Sequence, residues 1–272
     1  MVSRKWQAYL QAIKGNLMGK TEKYIKQEIA RKGGLLFALI DPVDYKEPSL
    51  AISAGCQASE GGADIILIGG SMGAQGELLD TVTKGIKEKS NVPIVLFPGN
   101  IATVTKYADA LYFMSLLNSR NPYWISQAQM LAAPMVKKMG IEALPVGYMV
   151  IEPGGTVGWV GDSNLVPRNR PQIAAALAAS AELSGFRFVL TDCGSNPDTG
   201  HMPLEMVSLV SKSISVPYIA AGGIKTPKEA AAVIAAGADA VQVGTALESG
   251  GNLKSRVSEM VKAIRKAGKN KV

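Results

Sequence analysis

Two aspartates, a serine and two glycine-rich turns are the residues of this chain best suited to chemistry on a phosphorylated substrate. Asp41 lies in IDP at 40–42, Asp192 in TDCGSN at 191–196, and Ser71 closes GGS at 69–71, each just past an apolar run. A carboxylate and a hydroxyl on one rim, Asp41 with Ser71, form a hard oxygen set that suits Mg²⁺, which completes its shell with substrate phosphates. Asp41 could equally cap or solvate a loop. Gly222-Gly223 and Gly244-Thr245 follow the apolar runs 218–221 and 240–243. Glycines let backbone N–H groups close around a phosphate, and a helix opening at Pro227 adds a favourable dipole. The same glycines could simply form tight turns. His201, the one histidine, has no Ser or Cys nucleophile paired with it in sequence and reads as a solvated loop residue.

These groups lie far apart in sequence, so a fold must gather strand ends at one rim. Apolar runs at 35–40, 65–68, 94–97, 110–114, 143–151, 186–190, 218–221 and 240–243 read as strands. Helical patterns follow most of them, at about 49–60, 75–89, from near Pro122, 171–184, 204–213, from Pro227, and 253–267. This alternation predicts an α/β fold, a (β/α)₈ TIM-like barrel with its site at the C-terminal ends of the strands. Only about ten residues separate the third and fourth strands, too few for a helix with its loops. The barrel should be irregular there. Residues 3–31 read as a preceding helix with Trp6, Leu10, Ile13 and Leu17 on one face, so the chain divides into an N-terminal extension, 1–33, and a barrel, 34–272, in one domain. The loop from Gly154 to Arg170 is long enough to be a lid, and Trp159 within it favours an ordered one. The apolar and aromatic residues at 116–140 suit either a greasy channel or core packing.

Hydrophobic residues make up 47% of the chain, ample for a core, and the net charge of +7 admits phosphorylated molecules, nucleic acid or an anionic membrane surface. Much of that charge sits in the run 254–271, with seven Lys/Arg against one Glu. Sparse aromatics without recognition spacing argue against nucleic acid. Two cysteines, Cys56 and Cys193, form no framework and favour a reducing cytosol, hence a cytoplasmic location. The N-terminal residues lack a signal-peptide core, and no run is apolar enough to span a membrane.

With the loops laid out, the chain resembles the geranylgeranylglyceryl phosphate synthases of archaea. LLNSRNPYW at 116–124 and YMVIEPGGTVGWVGD at 148–162 carry the likeness most specifically, supported by IDP at 40–42, GGS at 69–71, FPG at 97–99 and AGGIKTP at 221–227. The resemblance implies a barrel whose third helix is missing or replaced. It also implies a Mg²⁺-dependent prenyltransferase that joins sn-glycerol 1-phosphate to geranylgeranyl diphosphate, forming the first ether bond of archaeal membrane lipids. Asp41 and Ser71 then hold the metal, and Gly222, Gly223, Gly244 and Thr245 hold the acceptor's phosphate. The loop Asp192, Cys193, Gly194, Ser195 and Asn196 binds the rest of the acceptor.

This chain departs from the family at several of these positions. Where it reads YLEAGSG, this chain has Leu190 to Asn196; Asp192 replaces the glutamate that binds the glycerol hydroxyls and becomes the expected base. Thr245 stands where asparagine is usual. The prenyl chain is assigned to a groove near the missing helix, with Tyr123 and Trp124. A homo-oligomer and transient contact with a membrane surface are also expected. The alternatives are the same chemistry with a longer, heptaprenyl donor, a phosphate-barrel isomerase or flavin protein, and a non-catalytic phosphate-binding barrel.

Overall fold

The computed structural model describes residues 18–70, 74–245 and 252–269. Its eight strands form a closed, wholly parallel barrel in sequence order: β1 Leu35–Ile40, β2 Ile65–Gly69, β3 Ile94–Phe97, β4 Ala110–Leu116, β5 Glu142–Val150, β6 Phe188–Asp192, β7 Tyr218–Ala221 and β8 Ala240–Val243. β8 returns to β1, with Leu35 beside Ala240 and Ala38 beside Val243. The expected TIM-like architecture is therefore present. Strand alternation sorts each run into two shells. Phe37, Leu67, Val95, Leu144, Phe188 and Ile219 fill the barrel, while Leu36, Ala38, Ile66, Leu96, Val189 and Val241 face the helices.

The surrounding helices are α1 Lys20–Lys32, α2 Pro48–Glu60, α3 Gly76–Lys87, α4 Ala128–Met139, α5 Gly155–Val160, α6 Pro171–Leu183, α7 Leu204–Ser213, α8 Pro227–Ala235 and α9 Leu253–Lys269. No helix follows β3; residues 98–109 run as turns and bends to β4. α4 begins with a π turn, Tyr123–Gln127. Pro227 starts α8 behind a capping box, in which Thr226 Oγ1 accepts from Glu229 N and the Glu229 carboxylate accepts from Thr226 N.

Of the expected N-terminal helix, Trp6, Leu10, Ile13 and Leu17 lie outside the described residues. The described part, α1, plugs the N-terminal mouth of the barrel. Ile25 is buried among the interior residues, and Glu142 of β5 accepts from the N–H groups of Thr21 and Glu22 at 2.7 and 2.9 Å. Arg187 Nε meets Glu22 Oε2 at 2.7 Å. Just before β2, Asp64 receives Lys32 Nζ and Arg265 Nη2, both at 2.6 Å, joining α1 to α9 under β1 and β2. The catalytic side of such a barrel lies at the other mouth.

Candidate active site

The C-terminal ends of the strands enclose a cavity of about 620 Å³. One end is polar, lined by Asp41, Asp192, Gly194 to Asn196, Gly222 to Lys225 and Gln242 to Thr245. The other end is apolar and runs beneath the stretch where no helix follows β3, past Ile101, Val104, Met114, Trp124 and Ala132.

Asp192 is the last residue of β6, which begins and ends two residues later than the apolar run 186–190 predicts. Its alternation with Phe188 and Leu190 turns it into the barrel, where the residue is 7% exposed. The Tyr148 hydroxyl donates to Oδ2 at 2.9 Å and Gly194 N–H to Oδ1 at 2.7 Å. Burial raises the Asp192 pKa, and the two hydrogen bonds only partly oppose it. The Tyr148 phenol is pushed well above its ordinary value, by burial first and then by the Asp192 charge, so it stays a proton donor. Asp192 is thus a fixed carboxylate with raised basicity, facing a cavity.

Gly222 and Gly223 have φ of 84° and 69°. A Cβ on Gly222 would meet Cys193 N at 2.7 Å and Asp192 Oδ1 at 2.8 Å, and one on Gly223 would meet His201 N at 2.7 Å. Turn geometry alone therefore demands glycine at this pair. Gly244 differs. Its φ is not positive, and the nearest described atoms an added Cβ would meet belong to the Leu39 side chain, at 3.4–3.6 Å, ordinary van der Waals contact. Among the described residues, packing does not require glycine there. Lys225 brings a cation to the same end of the cavity. Asn196, where the resembled family has glycine, adopts φ 45°, a left-handed conformation that asparagine tolerates.

Asp41 combines its two readings. Its Oδ1 caps a short 3₁₀ turn at Val43 N, 3.3 Å away, while the residue lines the cavity. Gly70, at φ 128°, leaves the space its carboxylate occupies, since a Cβ there would collide with that group. Ser71 lies outside the described residues. Among the described residues no three His, Cys, Asp or Glu side chains form a cage. A hard carboxylate at the edge of the cavity, with Asp44 also lining it, fits Mg²⁺, which is commonly held by one or two carboxylates plus substrate phosphates.

The loop 154–170 is a partly helical lid, carrying α5. Trp159 does not order it, being 86% exposed. Arg168 does: Nη2 donates to the carbonyls of His201 at 2.7 Å and Thr199 at 3.3 Å, and Nη1 to that of Glu152 at 3.4 Å. Asn118 Nδ2 adds bonds to Val150 O and Asn164 O at 2.8 and 2.9 Å. A Cβ on Gly194 would meet Gly154 O at 2.5 Å, so lid and β6 loop touch backbone to backbone. Cys193 is fully buried beside Arg168, does not line the cavity, and has its thiol pushed up to about 12 by burial. His201 is half-buried, its Nδ1 2.7 Å from Met202 O, and it too lies outside the cavity lining.

Trp124 lines the apolar end, whereas Tyr123 packs edge-on against it at 4.9 Å without lining the cavity. The π turn that presents Trp124 is held by Gln129 Nε2, which donates to Met114 O at 2.5 Å and Trp124 O at 3.1 Å. Sequence reasoning missed Tyr148, Arg168, Lys225 and Gln242. Gln242, a polar residue in the buried strand AVQV, had a legible signal; Tyr148 did not, because a tyrosine in a buried strand ordinarily reads as core.

A family model described as the PcrB family matches residues 29–268. Geranylgeranylglyceryl phosphate synthase of Thermococcus kodakarensis is 48% identical over 237 residues, covering 87% of this chain and 93% of that protein. The synthase of Methanothermobacter thermautotrophicus is 47% identical over 245 residues, covering 90% and 98%. The crystal structure of (S)-3-O-geranylgeranylglyceryl phosphate synthase from Thermoplasma acidophilum, in complex with its substrate sn-glycerol-1-phosphate, superposes with a TM-score of 0.86 at 33% identity, over 92% of this chain and 100% of that one. A shared barrel alone would not give this extent of identity, and the chain belongs to the PcrB family, among the geranylgeranylglyceryl phosphate synthases.

Proposed function

We propose that this chain is a Mg²⁺-dependent prenyltransferase that joins sn-glycerol 1-phosphate to geranylgeranyl diphosphate. The observation that carries the reading is one cavity with unlike ends, a glycine-walled polar end containing a buried carboxylate and an apolar end under the missing helix. An amphiphilic donor and a small phosphorylated acceptor need such a site.

Gly222, Gly223 and Gly244 hold the acceptor's phosphate, with Lys225 adding charge. Asp192, fixed by Tyr148 and Gly194, accepts the proton of the attacking hydroxyl. The allylic carbon–oxygen bond to diphosphate breaks as the new ether bond forms, and diphosphate leaves. Asp41, with Ser71 as the sequence suggests, would hold Mg²⁺, which would supply charge neutralisation to the departing diphosphate. The apolar end takes the prenyl chain and keeps water from the reacting allylic carbon, and positioning of the two substrates supplies much of the rate.

Incubation with labelled sn-glycerol 1-phosphate and C15, C20 or C35 prenyl diphosphates, with and without Mg²⁺, followed by lipid extraction, tests this. Mg²⁺-dependent ether lipid formed best from the C20 donor is the expected result. Preference for C35 would identify the longer-chain activity, and no lipid with any donor would refute the reaction.

A further inference from the structure

Gln242 is the polar residue of β8, and nothing in the site just described uses it. It is 4% exposed and lines the cavity, yet its side-chain oxygen has no hydrogen-bond partner among the described residues. A buried amide left in that condition carries a desolvation penalty, so a polar group entering the cavity is stabilised by meeting it. Strand register gives its place. Asp192 pairs with Ala221 and Ala221 with Gln242, so the carboxylate and the amide stand at one level with a methyl between them. Asp192 already receives Tyr148 and Gly194, and is a methylene shorter than glutamate.

A three-carbon phosphate monoester held at its phosphate by the glycines and at its terminal hydroxyl by Asp192 still has a hydroxyl on its central carbon. That carbon is the stereocentre, and choosing between mirror images requires a third point of attachment. On the reading of the reaction given above, we propose that Gln242 supplies that point. Its amide binds the central hydroxyl of the acceptor, making it a substrate-binding residue that sets selectivity for one enantiomer.

The test compares wild type with Gln242→Met, which keeps the volume and removes the amide. Three acceptors are used: sn-glycerol 1-phosphate, its sn-3 enantiomer, and 3-hydroxypropyl phosphate, which lacks the central hydroxyl. Wild type should favour sn-glycerol 1-phosphate over 3-hydroxypropyl phosphate by about tenfold in kcat/KM, the worth of one hydrogen bond, and Gln242→Met should abolish that preference. The variant should also lose enantiomer selectivity by a similar factor, with KM for the prenyl diphosphate unchanged. Wild type accepting the deoxy compound equally well overturns the proposal, and this outcome does not depend on the variant folding. So does a folded Gln242→Met with wild-type selectivity. Calorimetric binding of the same acceptors without donor separates the two claims. A protein that binds sn-glycerol 1-phosphate but transfers nothing refutes the reaction, while the affinity contrast still decides the role of Gln242.

Discussion

Asp64 and Asp192 are both buried aspartates, one at each mouth of the barrel, and their surroundings differ in kind. Asp64 precedes β2 and is wrapped by charge: Arg265 Nη2 contacts both its oxygens at 2.6 Å, Lys32 Nζ reaches Oδ1, and Leu36 N–H donates to Oδ2. Asp192 ends β6 and is held by two neutral donors at the wall of a cavity. A buried carboxylate matched by cations closes the fold and has little left to offer a ligand. One matched by dipoles keeps its basicity and a lone pair directed into space.

The contrast is broken most severely by Asp192→Asn, which keeps the shape and removes the base. It should lower kcat by about a hundredfold to ten-thousandfold with an unchanged melting temperature, read by steady-state kinetics and calorimetry. Wild-type turnover would remove Asp192 from the mechanism. Asp64→Ala should do the reverse, costing about 3–5 kcal/mol of stability by taking the carboxylate from Arg265, while Lys32 keeps Glu28 and kcat per folded molecule stays as it was. Urea denaturation with an active-site titration reads both.

Tyr148→Phe sharpens the comparison within the upper mouth. Asp192 works as a base only when ionised, so activity falls as pH drops through its raised pKa. The Tyr148 hydroxyl favours the ionised form; without it that pKa rises further, and the acidic limb of the kcat profile should move to higher pH, with kcat at neutral pH down about tenfold. An unmoved limb would make the contact structural only. The smallest effect belongs to Gly244→Ala. Packing tolerates the methyl, so the fold should persist while KM for glycerol phosphate rises several-fold, about 1 kcal/mol of lost binding. An unchanged KM would return Gly244 to an ordinary turn.

Asp41, Asp192 and the glycine turns were legible in sequence because parallel strands read as short apolar runs, and residues at their ends fall on one rim. The missing helix was legible from spacing alone. What the sequence could not show depended on register. Tyr148 reaches Asp192 because β5 and β6 pair with Tyr148 beside Leu190, an alignment set by barrel closure. Arg168 is remote in sequence from the carbonyls it ties, and Trp159, the more conspicuous lid residue, proved exposed. Glycine conformation separated two motifs that look alike in sequence, the strained pair 222–223 and the unstrained Gly244.

The clasp at Asp64 has a practical consequence. Gly33 and Gly268 touch backbone to backbone there, so α9 finishes against the entry to β1, on the far side of the barrel from the cavity. A linker attached after Lys269 departs from that face. Immobilised on a support or fused to a second enzyme through such a linker, the molecule would present its open mouth outward.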